Sequence, residues 1–308
     1  MPRSRPRPGS SSPARPVKLA VLIPDAAYAV EWRWAYDIEA QALVDAGAQV
    51  EPIRWTDERD LGAFDLILPL VAWGYHKDFE RWLRLLDRLE AESAIVENPL
   101  PLLRWNGDKA YLAELGAKGV PTVPTMIVDL LDEQSLRRAR DTLGCSDIVV
   151  KPPVSASAYG TFRLRERDPF PEPVRGWRML VQPWIETITN SGEYSLIYFA
   201  GQFSHSVSKV PLPGEFRVQP EFGGIITRCD PPAGAQEVAV AALSAAPSPS
   251  TYARVDLIVG NDEGLQVMEL ELIEPALFLA QAPDACPSFA RAVLAAAERA
   301  HEQPLADR

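Results

Sequence analysis

The segment with the densest chemistry is residues 267–275, VMELELIEP. Strand alternation sends Met268, Leu270 and Leu272 to one side and Glu269, Glu271 and Ile273 to the other. Glu269 and Glu271 then stand about 7 Å apart along the strand, close enough to share metal ions. Upstream, residues 252–259 (YARVDLIV) read as a second strand carrying Arg254 and Asp256, with GNDEG at 260–264 as the hairpin loop. If Gly260 pairs with Leu265, Asp256 lies opposite Glu269 and Arg254 opposite Glu271, all on one face. Three carboxylates on one face repel unless a cation sits among them. An all-oxygen set favours a hard ion, Mg2+ or Mn2+, and Mg2+ commonly arrives with a polyphosphate. Taken by itself, the hairpin is explained equally well as a solvent-facing acidic turn.

The cations that would meet a polyphosphate are sparse. The chain has six lysines, at 18, 77, 109, 118, 151 and 209, so a lysine inside a motif carries weight. Lys109 follows Asn106-Gly107-Asp108, a turn and helix N-cap that puts it in the first turn. The helix dipole disfavours a cation there unless an anion is near; an exposed lysine fits as well. Lys151 ends a strand at 147–151 (DIVVK) and leads into 154–161 (VSASAYGT), a small-residue loop with Ser155, Ser157 and Gly160. Backbone N–H groups of such a loop can close over phosphate, with Lys151 as the point charge. A plain hairpin turn is the alternative, and the loop lacks the Walker A pattern. Lys209 ends a strand at 202–209. Arg217 lies in the Gly/Pro-rich loop 213–224, where it clamps an anion bidentately or is simply solvated. The strand 179–185 (MLVQPWI) runs out at Pro183 and offers backbone groups to a flat heterocycle.

The elements that must position these groups form an α/β chain. Residues 17–23, 50–55 and 64–71 read as strands and 31–46 and 79–89 as helices, alternating as in a small parallel sheet. Ligands of such sheets sit beyond the carboxyl ends of the strands. Those ends carry Asp25 and Tyr28, then Trp73, Tyr75 and His76, as candidate substrate contacts; His205, on the 202–209 strand, is another. Loop packing and ordinary strand placement explain each of these as well. A helix with its N-cap at 106–108, a helix at 134–143, strands at 193–199 and 202–209, a helix at 235–244 and a closing helix at 289–301 complete the reading. Residues 1–16, rich in Pro, Arg and Ser, cannot bury a core and are expected to be disordered.

With 308 residues, 47% hydrophobic and 24% charged, the chain reads as a soluble globular protein of two or three domains. The net charge of -11 disfavours duplex nucleic acid and anionic membranes as partners. No apolar run approaches the ~20 residues of a membrane span. Cys145, Cys229 and Cys286, odd in number and far apart, indicate reduced thiols in the cytoplasm.

In order, WNGDK at 105–109, VVKP at 149–152, LVQPWI at 180–185, GEYS at 192–195, SHSVSKVPLPGEFRVQ at 204–219, and ARVD followed by ELELIEP resemble the ATP-grasp ligase superfamily. The likeness falls on the branch of glutathione synthetase and ribosomal-protein glutamate ligases, nearest the O-ureido-serine cyclo-ligases of cycloserine biosynthesis. It implies an ATP-grasp fold, α+β in its C-terminal half, behind an N-terminal Rossmann-like substrate domain. The implied division is a tail at 1–16, a substrate domain at 17–103, a central lid domain at 104–185 and a metal and phosphate domain at 186–304. The cofactors implied are ATP and Mg2+ or Mn2+. Lys109, Lys151, Ser155, Ser157 and Gly160 would hold phosphates, Gln182, Trp184 and Ile185 would frame adenine largely through backbone, and Glu193 would hold the ribose. Asp256, Glu269 and Glu271 would bind two metal ions, and Lys209, Arg217 and Arg254 would steady the transferred phosphoryl group and the substrate carboxylate. Glutathione synthetase has Asn at the position of Glu271, so the charge balance differs here. Gly74, where some relatives carry a larger polar residue, leaves the substrate open.

The implied activity is ATP-dependent activation of a small-molecule carboxylate as an acyl phosphate, captured by an amine-type nitrogen, with ring closure within one molecule as the leading form. Joining two substrates, in the manner of glutathione synthetase or a peptide ligase, is the rival, and a nucleotide-binding scaffold without turnover the alternative from another class. A homodimer is compatible with the sequence. No Ser, Cys or His triad is present or needed.

Overall fold

The computed structural model describes residues 15–156, 158–219 and 222–302. Most of the amino-terminal tail and Ser157 therefore lie outside the described residues. Three sheets organise the rest. The first is parallel, in the order β2-β1-β3, from β1 (Lys18–Ile23), β2 (Gln49–Arg54) and β3 (Leu66–Leu68). β1 and β3 are apolar on both faces because helices cover both, whereas the edge strand β2 is largely exposed. Leu19 and Val21 face α1 (Arg33–Asp45) and α7 (Cys286–Glu302), whereas Ala20 and Leu22 face α2 (Phe79–Ala91). Helix α2 is started by Asp78, whose side chain accepts from the Arg81 N–H, and it buries Trp82, Leu85, Leu86 and Leu89.

The second sheet is antiparallel, β4-β7-β5-β6, from β4 (Met126–Val128), β5 (Ile148–Lys151), β6 (Phe162–Leu164) and β7 (Met179–Pro183). Helix α5 (Glu133–Leu143) covers it through Leu136 and Ala139. The small-residue loop joins β5 to β6, so it is both a hairpin connection and a flap at the edge of the cleft.

The third sheet, β10-β9-β8-β11-β12, carries the chemistry: β8 (Glu193–Phe199), β9 (Gln202–Val210), β10 (Ile225–Cys229), β11 (Tyr252–Val259) and β12 (Leu265–Glu271). One face is apolar and packs on α6 (Ala235–Ala245). The other face of β8 changes character along its length: Glu193 lines a cleft and the buried Ser195 bonds to Asp256 beside it, while Ile197 and Phe199 belong to the core under α7. Gly192 precedes β8 at φ 66°, and an added Cβ would sit 1.9 Å from the Lys209 carbonyl oxygen. Only glycine permits that approach, which holds Glu193 beside Lys209.

The segment expected as one helix capped at 106–108 is two short helices, α3 (Leu100–Asn106) and α4 (Tyr111–Ala117), with Lys109 between them. Asp108 still turns the chain, accepting from the Ala110 N–H at 2.8 Å. Both helices pack on the third sheet through Leu102, Tyr111, Leu112 and Leu115.

The hairpin register Asp256 opposite Glu269 and Arg254 opposite Glu271 holds, by a different route from the expected one. Val259 pairs with Leu265, so the loop is one residue longer than expected, and a bulge between Asp256 and Leu257 restores the offset. Leu257 faces Val267 and Asp256 faces Glu269, which leaves Met268 as the extra residue. Met268 consequently lines the cleft together with Glu269 instead of joining Leu270 in the core.

β12 is an edge strand, and its outer backbone groups need partners. Side chains supply them. Asn106 donates to Leu270 O at 2.7 Å and accepts from Leu272 N at 2.8 Å. The Tyr111 hydroxyl donates to Leu270 O and accepts from Leu270 N, and Asn98 donates to Leu272 O. Residues 121–123 complete the edge through Val267. Asn106→Leu leaves the Leu272 N–H unpaired and buried; a urea melt should show a loss of about 1–3 kcal/mol with an unchanged m-value. An unaltered midpoint would mean that the edge does not depend on this amide.

Candidate active site

Strand alternation gathers Glu193, Ser195, Lys209, Arg254, Asp256, Glu269 and Glu271 on one face of the third sheet. They form a chain of alternating charge. Lys209 bridges Glu193 and Asp256, the latter at 3.1 Å. Arg254 bridges Asp256, at 2.9 Å, and Glu271. Glu269 pairs with Lys109 at 3.1 Å, and Lys109 also donates to Ser155 O. Ser195 donates to Asp256 at 2.5 Å. Burial works against the Asp256 charge, but Arg254, Lys209 and the Ser195 hydroxyl hold its carboxyl well below the usual range. Burial pushes Glu271 up to about 7, with Glu269 and Asp256 adding to the effect and Arg254 opposing it. Oxygens of Asp256, Glu269 and Glu271 lie within 4.8 Å of one another. An all-carboxylate group of this size fits hard divalent cations.

Lys151 enters from the second sheet, buried, with no hydrogen bond or ion pair to a described residue. Burial lowers its ammonium to about 8; Glu269 opposes this and the charge of Lys109 reinforces it. A buried cation without an anion is an anion site in waiting. Ser155 is fixed by its bond to Pro152 O at 3.0 Å and lines the cleft, whereas Gly160 turns the loop at φ 65° and does not.

The cleft, of about 740 Å³, runs between the three sheets. One end is apolar, walled by Val123, Val149, Trp184, Ile185, Ile188 and Met268, with Gln182 beside them. Gln182 donates to Thr125 at 2.8 Å. Trp184 commits its backbone N–H to Asp147 O and its carbonyl to Asn261, so it offers its ring and not its backbone. That ring lies under the Arg163 guanidinium at 3.7 Å. Arg217 lines the cleft but is clamped by Glu215, at 3.0 and 2.5 Å, and stacked on Phe222.

The other end is built by the first sheet. Tyr28 and Trp73 line it, with Trp34 tilted against Trp73 at 5.5 Å. Gly74, at φ 92°, leaves room for the Tyr28 ring, 2.9 Å from where a Cβ would stand. Tyr75 reaches only a small inner pocket beside Lys109 and Glu274. Three further candidates do not line the cleft. Asp25 caps its own turn, accepting from Ala27 N and Thr56. His76 is held at about 4 by burial, with Lys109 and Lys77 adding to the effect, and packs on Tyr159 of the flap. His205 is a buried strand residue bonded to Leu277 O at 2.9 Å. Rarity of histidine drew attention to residues whose local packing explains them.

Several residues in the cleft or bonded to its acids were not singled out from the sequence. Ser195 carries a readable signal, two residues after Glu193 on the same strand face. Glu31, Trp34, Gln281 and Glu274 carry none, because they reach the cleft only through packing between sheets.

Comparison with known proteins agrees with this geometry. Residues 24–98 match the family described as the N-terminal domain of D-cycloserine synthetase DcsG. The cycloserine biosynthesis protein DcsG of Streptomyces lavendulae is 30% identical over 275 residues, covering 82% of this chain and 90% of that protein. The crystal structure of D-cycloserine synthetase DcsG superimposes with a TM-score of 0.79 at 28% identity, over 92% of this chain and 99% of that one. The D-alanine–D-alanine ligase of Bacillus anthracis, at 16% identity, shares the fold with a TM-score of 0.67 over 93% of this chain and 99% of that one. Edge-capped acidic hairpin, paired buried lysines and whole-chain similarity converge: this chain belongs to the ATP-grasp ligases, on the branch of D-cycloserine synthetase.

Proposed function

We propose that the chain is an ATP- and Mg2+-dependent carboxylate ligase that closes a ring within a small amino-acid derivative of the O-ureido-serine type. The observation that carries this reading is the juxtaposition of the Asp256, Glu269 and Glu271 group with Lys109 and Lys151 across one cleft. When bound, ATP with its metal ions supplies phosphoryl activation of the substrate carboxylate, which makes phosphate the group that leaves when nitrogen attacks the acyl carbon.

The chain's own residues bind, neutralise and orient. Asp256, Glu269 and Glu271 hold metal ions, and Lys109 and Lys151 hold phosphates. With metal ions held by those carboxylates, Arg254 and Lys209 would be free to face a developing negative charge. Arg217 joins them once it leaves Glu215. The apolar end receives the adenine base, with Gln182 giving a polar edge and Glu193 the ribose contact. The Trp34–Trp73 end receives the substrate. Among the described residues no helix is long and apolar enough to cross a membrane, and we place the reaction in the cytoplasm with its ATP supply.

ADP release on addition of O-ureido-serine without a second amine tests the ring-closing reading; release only when an amine is added would replace it with intermolecular ligation. Glu269→Gln keeps the volume and removes one charge from the metal group. Turnover should fall by at least about 100-fold, the scale of losing one charge-stabilising group, in a variant that still melts as a folded protein. Near-normal turnover would contradict the metal role.

Lys151 also gives ATP binding a pH dependence. Its folded value near 8 means that the ammonium is charged below that pH and neutral above it, while bound phosphate favours the charged form. ATP affinity should therefore be full at pH 7 and fall as pH rises past 8. Lys151→Met should bind more weakly at pH 7 and lose this part of the dependence. Parallel titration curves for the two proteins would remove Lys151 from the phosphate site.

A further inference from the structure

Glu274 stands just beyond β12, three residues after Glu271, where the chain leaves the sheet. Its side chain lines both the main cleft and the inner pocket bounded by Tyr75, Lys109 and Tyr111. Its carbonyl accepts from Trp73 Nε1 at 3.1 Å, which fixes it where the first sheet meets the metal-binding face. Every other acid of the cleft has a partner. Glu193 and Asp256 share Lys209, Glu269 has Lys109, Glu271 has Arg254, and Glu31 accepts from the Arg33 N–H. The Glu274 carboxylate has no ion pair and no hydrogen bond to another described residue, and it lies outside the three-carboxylate group.

We propose that Glu274 recognises a cationic amine on the carboxylate substrate and so sets which way round the substrate lies. The inference rests on the ligase reading and specifies the substrate class within it. An ammonium group draws the Glu274 carboxyl into its charged form and pairs with it, whereas a substrate carboxylate gains nothing there and is drawn to Arg254. The surroundings suit an ammonium, which carries three N–H donors and no acceptor. Gln281 lines the same cleft with a buried Oε1 that has no hydrogen-bond partner among the described residues. Trp73 and Trp34 supply ring faces, which attract cations. Burial, with Glu271 adding to it and Lys109 opposing it, raises the Glu274 carboxyl to about 8, and a cation bound directly to it favours the charged form. The substrate is thus a zwitterion, an amino acid in charge pattern.

The test compares wild type and Glu274→Gln on O-ureido-serine and on its analogue with hydrogen in place of the α-amino group. ADP release gives KM and kcat, and calorimetry in the presence of Mg2+ and ADP gives binding of each compound without turnover. The expected result is a KM for the amino form raised about 30-fold or more by the substitution, little change for the deaminated form, and unchanged Mg-ATP affinity. Equal losses on both compounds, an unchanged KM, or weakened Mg-ATP binding would overturn the proposal, the last by placing Glu274 among the metal ligands. If wild type releases no ADP with either compound, the ring-closing reading falls. Calorimetry then still decides Glu274: a preference for the amino form that the substitution abolishes upholds it, and no preference overturns it. Should Glu274→Gln not fold, Glu274→Asp is read in the same assays, with a smaller rise in KM confined to the amino form as the expected outcome.

Discussion

The alternation of charge across one sheet face governs this molecule. Glu193, Lys209, Asp256, Arg254 and Glu271 follow one another, acid against base, with Glu269 and Lys109 alongside. Buried charges of one sign would shift their protonation or expel one another; placed alternately the bases oppose that shift, winning at Asp256 and losing to burial at Glu271. Such an array is balanced as it stands. It is also exchangeable, because a divalent cation can replace an ammonium or guanidinium at a carboxylate while a phosphate takes up the displaced cation. Buried ion pairs contribute little net stability, so their value here is to hold both sets of ligands in place before the nucleotide arrives.

That array depends on the position of β12. An edge strand bearing two acids is held on its inner side by β11 and on its outer side by Asn98, Asn106 and Tyr111. The same short segment that contributes two of these side chains contributes Lys109. The Lys109–Glu269 pair is therefore set by a rigid local frame and not by a flexible reach. The Met268 bulge has a related consequence: it places an apolar side chain and a carboxylate next to each other on one side of the strand, which unbroken alternation forbids.

The part of the site legible in the sequence was the part with period two. ELE, RVD and the stretch ending in Lys209 announced their faces, and the Asp256–Glu269 pairing, read from a loop one residue too short, holds because the bulge after Asp256 makes up the difference. The ordered set of short motifs announced the fold. Contacts between sheets were not legible. Asn106 read as a helix cap because a turn and a strand-edge cap use the same residue type, and only tertiary packing tells them apart. Ser195 shared a visible face with Glu193, yet a single hydroxyl is too common to stand out. Trp34, Gln281 and Glu274 have no local signal. Asp25, His76 and His205 were drawn in by residue type and strand-end position, and each is explained by its own neighbours.

Anomalous diffraction from crystals grown with ADP and Mn2+ measures the central claim directly. The account predicts manganese peaks about 2.0–2.2 Å from oxygens of Asp256, Glu269 and Glu271, with the diphosphate between them and the two buried lysines. Nucleotide bound elsewhere, with Arg254 and Lys109 still closed on these carboxylates and no manganese among them, would contradict it.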